Sequence, residues 1–385
     1  MSRFADRTGP IRLGMVGGGQ GAFIGAVHRI AARLDGHFTL VAGALSSTPD
    51  KARASGLELG LAEDRIYDNF AAMAEREASR ADGIEAVSIV TPNHMHLPVA
   101  REFLDRGIHV ICDKPLTGTL ADAQELQASV AASSAQFILT HNYTGYPMVR
   151  EARARVEAGE LGKIRLVQVE YAQDWLSEAP APDNKQAEWR TDPSRSGAGG
   201  ATGDIGTHAW NIARFVTGLK PEAIAADLQS FVPGRMVDDN AHVMIRFKDG
   251  ARGTLWCSQV AAGCENALRL RVFGTKAGLE WQQEEPNRLM FTPLGGSTQV
   301  ITRGSGQTSE ASQRLTRIPP GHPEAFLEAF GNIYSEAAAA IRAARTGAAL
   351  PMHVTFPTVS DGVEGVAFVD ACIRSSKANA TWVTL

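Results

Sequence analysis

Between residues 11 and 142, apolar runs of strand length alternate with helical stretches, and this alternation leaves few folds open. Residues 11–18 (IRLGMVGG) form an apolar run that ends in glycines and leads into a helical stretch through about Leu34. Further apolar runs stand at 38–45, 84–92, 108–115 and 136–142, separated by an amphipathic segment near 50–60 and helical patterns over 96–107 and 120–134. Strands alternating with helices of about ten to fifteen residues build right-handed βαβ units and a parallel sheet.

After about residue 143 the character changes. A helical pattern over 147–158 precedes longer, more alternating runs at 164–175, 222–232, 241–250, 251–260 and 268–276, with Lys248-Asp249-Gly250 as a hairpin signal. These predict an open, mostly antiparallel sheet with one face covered. Proline and glycine crowd 177–206 and 286–322, which reads as loops, and helices over 324–346 and 357–377 close the chain. The expected fold class is therefore α/β: a doubly wound parallel sheet over 1–142 that binds a dinucleotide, then a substrate-binding and oligomerisation α/β domain over 143–385. A chain of 385 residues has room for both, at roughly 150 residues per domain.

Composition narrows the partners. Lys and Arg number 38 against 42 Asp and Glu, a net charge of −4, so no basic field draws in nucleic acid or anionic lipid, and a small molecule is the expected ligand. No apolar run reaches the roughly 20 residues that cross a bilayer, and the opening stretch lacks a signal peptide's apolar segment, so the chain is expected to stay in the cytoplasm. Cys112, Cys257, Cys264 and Cys372 form no C-x-x-C pair; they read as buried thiols in a reducing compartment. An open sheet with Val243, Ile245, Leu255 and Trp256 on its outer face would need a second subunit as cover, which predicts a homodimer or homotetramer.

Chemistry-bearing residues gather at strand ends. The first strand runs into Gly17-Gly18-Gly19-Gln20-Gly21-Ala22-Phe23-Ile24-Gly25, where glycines let the backbone turn tightly and approach a pyrophosphate at a helix N-terminus. Gly17 and Gly19 fit the usual spacing; the third glycine is replaced by Ala22 or postponed to Gly25. After the second strand, where an acid would hold the ribose hydroxyls of NAD, the chain has Ser46 and Ser47. These serines suit ribose hydroxyls or a 2′-phosphate, which Lys51 or Arg53 would neutralise, or they belong to a solvated loop; NAD and NADP both remain open.

Two later strand ends face the same crevice: Thr91-Pro92-Asn93-His94-Met95-His96, with Thr91, Asn93 and His96 as cofactor contacts, and Cys112-Asp113-Lys114-Pro115. A lysine straight after a buried strand needs a task or a partner, the plain alternative being a turn residue paired with Asp113. His94 and His96 have no acidic or cysteine cluster beside them, so no metal is expected. Asp204 and His208, four apart in G-D-I-G-T-H, would share a helix face as a carboxylate and imidazole, or serve as an N-cap and a core histidine.

In this order the motifs resemble the Gfo/Idh/MocA family of oxidoreductases, over nearly the whole chain. The resemblance implies an N-terminal Rossmann domain, a C-terminal open-sheet domain and NAD(P)-dependent oxidoreduction of a sugar, anhydrosugar or inositol. The family's E-K-P motif stands here as Asp113-Lys114-Pro115 and its D-x-x-x-H motif as Asp204 and His208. Departures are the stretched glycine turn, Asp113 for Glu, Asn211 for Asp, and an insert with Trp175, Lys185, Trp189 and Arg190. The implied mechanism has His208 take the hydroxyl proton, Asp204 stabilise the imidazolium, Lys114 bond the reacting oxygen and Asp113 contact the nicotinamide ribose. Asn142, Tyr143, Asp174, Trp175 and Arg190 are expected as substrate walls. The rival expectation is a regulator that binds dinucleotide without catalysis.

Overall fold

The computed structural model describes residues 9–179 and 185–385. The expected absence of a signal peptide therefore rests partly on residues outside the described ones, as does the Lys185 side chain. The alternating half folds as β1 (Ile11–Gly17), α1 (Phe23–Leu34), β2 (Phe38–Ala44), α2 (Pro49–Glu58), α3 (Phe70–Ser79), β3 (Ala86–Val90), α4 (His96–Leu104), β4 (His109–Cys112), α5 (Leu120–Ala132) and β5 (Phe137–Leu139). The helix α3 has no counterpart among the expected elements. Its sequence is alanine-rich, and Asn69 caps it by accepting the Ala72 N–H at 2.8 Å, a local bond that hydrophobic periodicity does not register.

All strands of this sheet pair in parallel, in the order β2-β1-β3-β4-β5. Strand order reverses at β1, so the crossovers leave to opposite sides and a crevice opens beyond the carboxyl ends of β1 and β3.

The chain continues as α6 (Pro147–Glu157), β6 (Ile164–Ala172), α7 (Lys185–Arg190), α8 (Pro193–Ser196), α9 (Thr207–Thr217), β7 (Pro221–Gln229), β8 (Asn240–Phe247), β9 (Arg252–Ser258), β10 (Ala267–Gly274), β11 (Ala277–Gln282), β12 (Arg288–Pro293), β13 (Gln299–Thr302), α10 (Glu310–Gln313), α11 (Phe326–Thr346), α12 (Val359–Lys377) and β14 (Val383–Thr384). Its nine-stranded sheet has the order β13-β12-β11-β10-β6-β9-β8-β7-β14 and is antiparallel throughout except for the β6–β9 pair. Strands β12 and β13 replace part of the loop expected over 286–322. Leu289, Phe291 and Ile301 are their buried residues, too few apolar positions to stand out among the neighbouring glycines and prolines.

Two compact units form, and their limits correct the expected domains. One contains Met1–Thr117, Ala121–Asn142 and Phe326–Val363; the other contains Gly118–Leu120, Tyr143–Ala325 and Glu364–Leu385. Residues 326–363 thus belong with the parallel sheet rather than with everything after 143. Phe330, Ile333, Tyr334 and Ile341 of α11 enter the same buried cluster as Val27 and Ala31 of α1 and Leu13 of β1. Arg345 pairs with the buried Glu85, which also holds the Arg12 guanidinium at 3.2 Å.

The outer-face assignment is corrected as well. Val243, Ile245 and Leu255 are buried, while His242, Met244, Arg246 and Thr254 are exposed and Trp256 is half-buried. Side chains alternate along a strand, so Leu255 and Trp256 cannot share a face. The open face is mostly polar, and the expectation of an oligomer keeps only Met244 and Trp256 of that strand pair as apolar support. Cys112, Cys257 and Cys372 are buried, and burial pushes their thiols up, whereas Cys264 is only partly buried. Among the described residues, no helix is long and apolar enough to cross a membrane.

Two buried histidines give the first unit a pH-dependent stability. Burial holds His109 down at about 4, with Glu85 opposing and Arg345 reinforcing. It holds His141 at about 4 too, with Asp361 and Asp113 opposing and Lys114 reinforcing. An unfolded histidine protonates near 6.5. Between about pH 6.5 and 4 the unfolded chain therefore binds protons that the native chain does not, so stability present above 6.5 is lost as pH falls, by up to about 1.4 kcal/mol per pH unit for each ring. Urea titrations between pH 7.5 and 4.5 should show this fall, and His109→Asn should make it shallower. An unchanged slope in that variant would remove His109 from the account.

Candidate active site

The crevice of the first unit begins where β1 ends. Gly17 and Gly18 take φ of +80° and +74°, left-handed values that other residues rarely adopt. Gly25 fills the role of the delayed third glycine: a Cβ there would stand 2.4 Å from Gly18 Cα and 2.6 Å from Gly18 O. A Cβ on Gly19 would meet Leu45 O at 2.6 Å. The turn and the start of α1 are packed backbone against backbone. At that helix start Ala22 makes no side-chain cap and the first turn holds no acid, so its amides and dipole suit an anion such as a pyrophosphate.

Polar atoms at neighbouring strand ends also suit a bound ligand. Thr91 Oγ1 and Asn142 Nδ2 are buried without a hydrogen-bond partner among the described residues, a cost that a polar ligand would relieve. A Cβ on Gly17 would lie 3.1 Å from Thr91 Cγ2, which puts Thr91 against the glycine turn. Asn93 is buried in the short turn Asn93–Met95, and His94 is exposed. His96 is fully buried, with Nδ1 2.9 Å from Pro115 O and Nε2 2.9 Å from Thr91 O. Both ring nitrogens meet main-chain carbonyls, so His96 braces two loops instead of presenting its ring to a cofactor.

After β2, Ser46 Oγ accepts the Thr48 N–H at 3.2 Å and Ser47 is exposed. Arg53 is paired with Glu63 at 2.6 Å. After β4, Thr140 Oγ1 donates to Asp113 Oδ1 at 2.9 Å and His28 Nε2 stands 3.7 Å from the same oxygen. Burial alone would push the Asp113 carboxyl up, but His28, helped by Lys114 and His96, outweighs it and holds the group at about 2. Asp113 is therefore a carboxylate at neutral pH. Lys114 is half-buried beside it, and the Lys114–Pro115 peptide is cis.

A second constellation lies in the other unit. Thr202–Gly206 forms one π turn that runs directly into α9, a widened turn that recurs at functional sites. Asp204 lies inside it and His208 in the first turn of α9, so the expected regular helix spacing between them is altered. Asp204 Oδ2 accepts from Gln259 Nε2 at 2.9 Å and Arg190 Nε at 3.2 Å. The Arg190 guanidinium lies 4.4 Å from the Trp189 ring centre and 5.9 Å from that of Trp175, which is 41 % exposed. His208 is 6 % exposed and meets Tyr143 edge to face at 4.7 Å. Burial raises the Tyr143 phenol, bonds from Tyr171 and Asn266 oppose, and the Asp204 charge adds to the rise. His208, Asp204, Tyr143 and Arg190 thus share one neighbourhood. Asp174 faces a different task, accepting the Gly263 N–H at 3.0 Å in an exposed turn.

Several residues here escape sequence reasoning. Asp238 is a buried carboxylate that accepts from the Gly200 and Thr202 amides at 2.7 and 2.8 Å and from Thr202 Oγ1 at 2.9 Å, fastening the start of the π turn. Tyr171 Oη lies 2.5 Å from Tyr143 Oη and donates to Asn266 Oδ1 at 2.7 Å, which also accepts from Gln173. Gln173 and Gln259 directly follow β6 and β9, the parallel pair of the nine-stranded sheet. Polar residues at parallel carboxyl ends are the signal that could have found them. Among the described residues, no cluster of three or more His, Cys, Asp or Glu side chains is arranged to hold a metal ion.

A glycine cradle at the switch point of a parallel sheet, with Thr91, whose hydroxyl is unpartnered among the described residues, set against it, defines an NAD-binding Rossmann domain. Residues 11–152 match the NAD-binding Rossmann fold of the oxidoreductase family, and residues 149–280 match the GFO/IDH/MocA C-terminal domain. The chain belongs to the GFO/IDH/MocA family of oxidoreductases. An oxidoreductase crystal structure from Sinorhizobium meliloti is 58 % identical, with a TM-score of 0.90 over 98 % of this chain and 100 % of that one. An inositol dehydrogenase homologue from Azotobacter vinelandii, solved with NADH and myo-inositol, is 37 % identical, with a TM-score of 0.93 over 98 % of each chain. Levoglucosan dehydrogenase from Pseudarthrobacter phenanthrenivorans is 27 % identical over 97 % of each chain.

Proposed function

We propose that this chain is a dehydrogenase that moves a hydride between a secondary alcohol of a cyclic polyol, whether sugar, anhydrosugar or inositol, and a nicotinamide dinucleotide. The observation that carries the reading is the buried His208, set against Tyr143 in the same neighbourhood as Asp204, Arg190 and Gln259. Apolar ring faces with convergent donors and acceptors suit a hydroxylated ring, whose C–H surfaces stack while its hydroxyls bond. The relatives named for inositol and levoglucosan support the class.

Gly17, Gly19 and Gly25 would cradle the dinucleotide's pyrophosphate, with Thr91 and Asn93 beside it, Ser46 and Ser47 toward its adenosine end, and Asp113 toward its nicotinamide ribose. When bound, the nicotinamide supplies the hydride acceptor. In this reading His208 removes the hydroxyl proton, Asp204 supplies the negative charge that favours the imidazolium, and Lys114 hydrogen-bonds the reacting oxygen as it gains charge. Asn142, Tyr143, Trp175 and Arg190 would bound the substrate.

Purified protein with NAD or NADP and a panel including myo-inositol, levoglucosan and common hexoses and pentoses tests this by absorbance at the reduced-nicotinamide band. At least one cyclic polyol should turn over. Since no acid after β2 repels a 2′-phosphate, kcat/KM for the two dinucleotides should lie within about tenfold. Tight dinucleotide binding without turnover of any panel member would favour the regulator instead.

A further inference from the structure

Behind Asp113 the first unit buries a run of polar side chains that the proposed mechanism does not use. His28 on α1 and Ser88 on β3 are fully buried, and Tyr334 on α11 is nearly so. His28 Nδ1 lies 2.9 Å from Tyr334 Oη and 3.1 Å from Ser88 Oγ, and Tyr334 Oη lies 3.1 Å from Ser88 Oγ. Tyr334 donates to Ser88, whose own proton is free for Nδ1, while a proton on Nδ1 would equally find the Tyr334 oxygen, so these three contacts by themselves suit either tautomer. The other ring nitrogen decides it: Nε2 faces the Asp113 carboxylate, with Oδ1 at 3.7 Å, longer than a hydrogen bond, and that negative charge favours the ring proton on Nε2 and leaves Nδ1 as the acceptor. Thr140 donates to the same Oδ1 at 2.9 Å.

We propose that His28 is a positioning residue for ligand binding: with Thr140 it holds Asp113 by Oδ1, so that Oδ2 is turned to the crevice as the acceptor for a ribose hydroxyl. The Asp113 charge favours the Nε2–H tautomer that this requires, and Ser88, which accepts from Tyr334, has its own proton for Nδ1 in it. The inference rests on the reading of Asp113 as a ribose contact.

Fluorescence titration with NADH of the full chain tests both levels. Asp113→Asn should weaken binding about tenfold, the scale of a lost hydrogen bond to a charged group. His28→Asn, whose amide reaches only the Nδ1 position, should weaken it comparably, whereas His28→Gln, which carries an N–H toward the Nε2 position, should stay within about threefold of wild type. Because His28 acts through Asp113, the double variant should bind no worse than Asp113→Asn alone, within about threefold. Ser88→Ala keeps the ring in place, and its smaller weakening should likewise vanish in the Asp113→Asn background. Wild-type affinity in Asp113→Asn would overturn the reading of Asp113 and this inference with it. Weak binding in Asp113→Asn with His28→Asn at wild-type affinity would overturn the inference alone, as would equal losses in His28→Asn and His28→Gln or additive losses in the double variant.

Discussion

Replacing His208 by alanine is expected to lower kcat by at least about 10²-fold while NADH affinity hardly changes, because a general base acts on the reacting proton and contributes mainly in the transition state. Lys114→Ala should show a loss of the same order, since a cation beside the reacting oxygen matters most when that oxygen carries charge. If both residues serve one reacting carbon, the double variant should fall far short of the product of the single losses. Asp204→Asn should cost less than removal of the histidine: it keeps the shape of the π turn and an oxygen for Gln259 Nε2 and Arg190 Nε. With the polyol that the wild type oxidises fastest, kcat/KM should rise with pH along a limb that disappears in His208→Ala. A purely structural His208, packed on Tyr143, would instead give a lower Tm with kcat intact in the folded protein. Normal turnover in folded His208→Ala would end the mechanism.

The second large effect is expected at Gly25. Valine there would force its Cβ to within 2.4 Å of Gly18 Cα and 2.6 Å of Gly18 O. Both atoms are main chain, so no side chain can swing aside; the start of α1 must lift from the glycine turn or the turn must open. Either movement displaces the amides that would meet a pyrophosphate, and NADH binding should weaken at least about 10²-fold, a loss of about 2.7 kcal/mol. Overpacking of about 1–3 kcal/mol should also lower Tm. Gly25→Ala carries the same clash with the smallest side chain and should show most of the loss. Gly306, where a Cβ meets nothing within 4 Å, provides the control: Gly306→Ala should bind as the wild type does. Wild-type affinity in Gly25→Ala would show that this approach does not shape the site.

Much of the candidate site was legible because its parts are local. Gly17 and Gly19 announce themselves by following an apolar run, and Asp113-Lys114 by ending one. Asp204 and His208 are four residues apart, and only the π turn between them was invisible, since an extra residue in a helical turn leaves the residue types unchanged. Asp238 and His28 were not legible. An aspartate in V-D-D-N and a histidine in an amphipathic helix look like ordinary polar residues until the chain brings Gly200 and Thr202 to one, and Ser88, Asp113 and Tyr334 to the other.

The same division runs through the molecule. Strand and helix periods are written in neighbouring residues, so the sequence by itself determined the alternating β/α half, the parallel sheet it must build, the mostly antiparallel second sheet and the glycine turn that suits a dinucleotide. Only the tertiary structure decided that Phe326–Val363 belongs with the first sheet, that Leu255 faces inward and Trp256 outward, that Gly25 and not Ala22 completes the glycine turn, and that Asp238 holds the π turn. Each of these depends on contacts between segments far apart in the chain: which apolar stripe finds which face, and which buried carboxylate finds which free amides, is settled by packing and hydrogen-bond satisfaction across the whole fold.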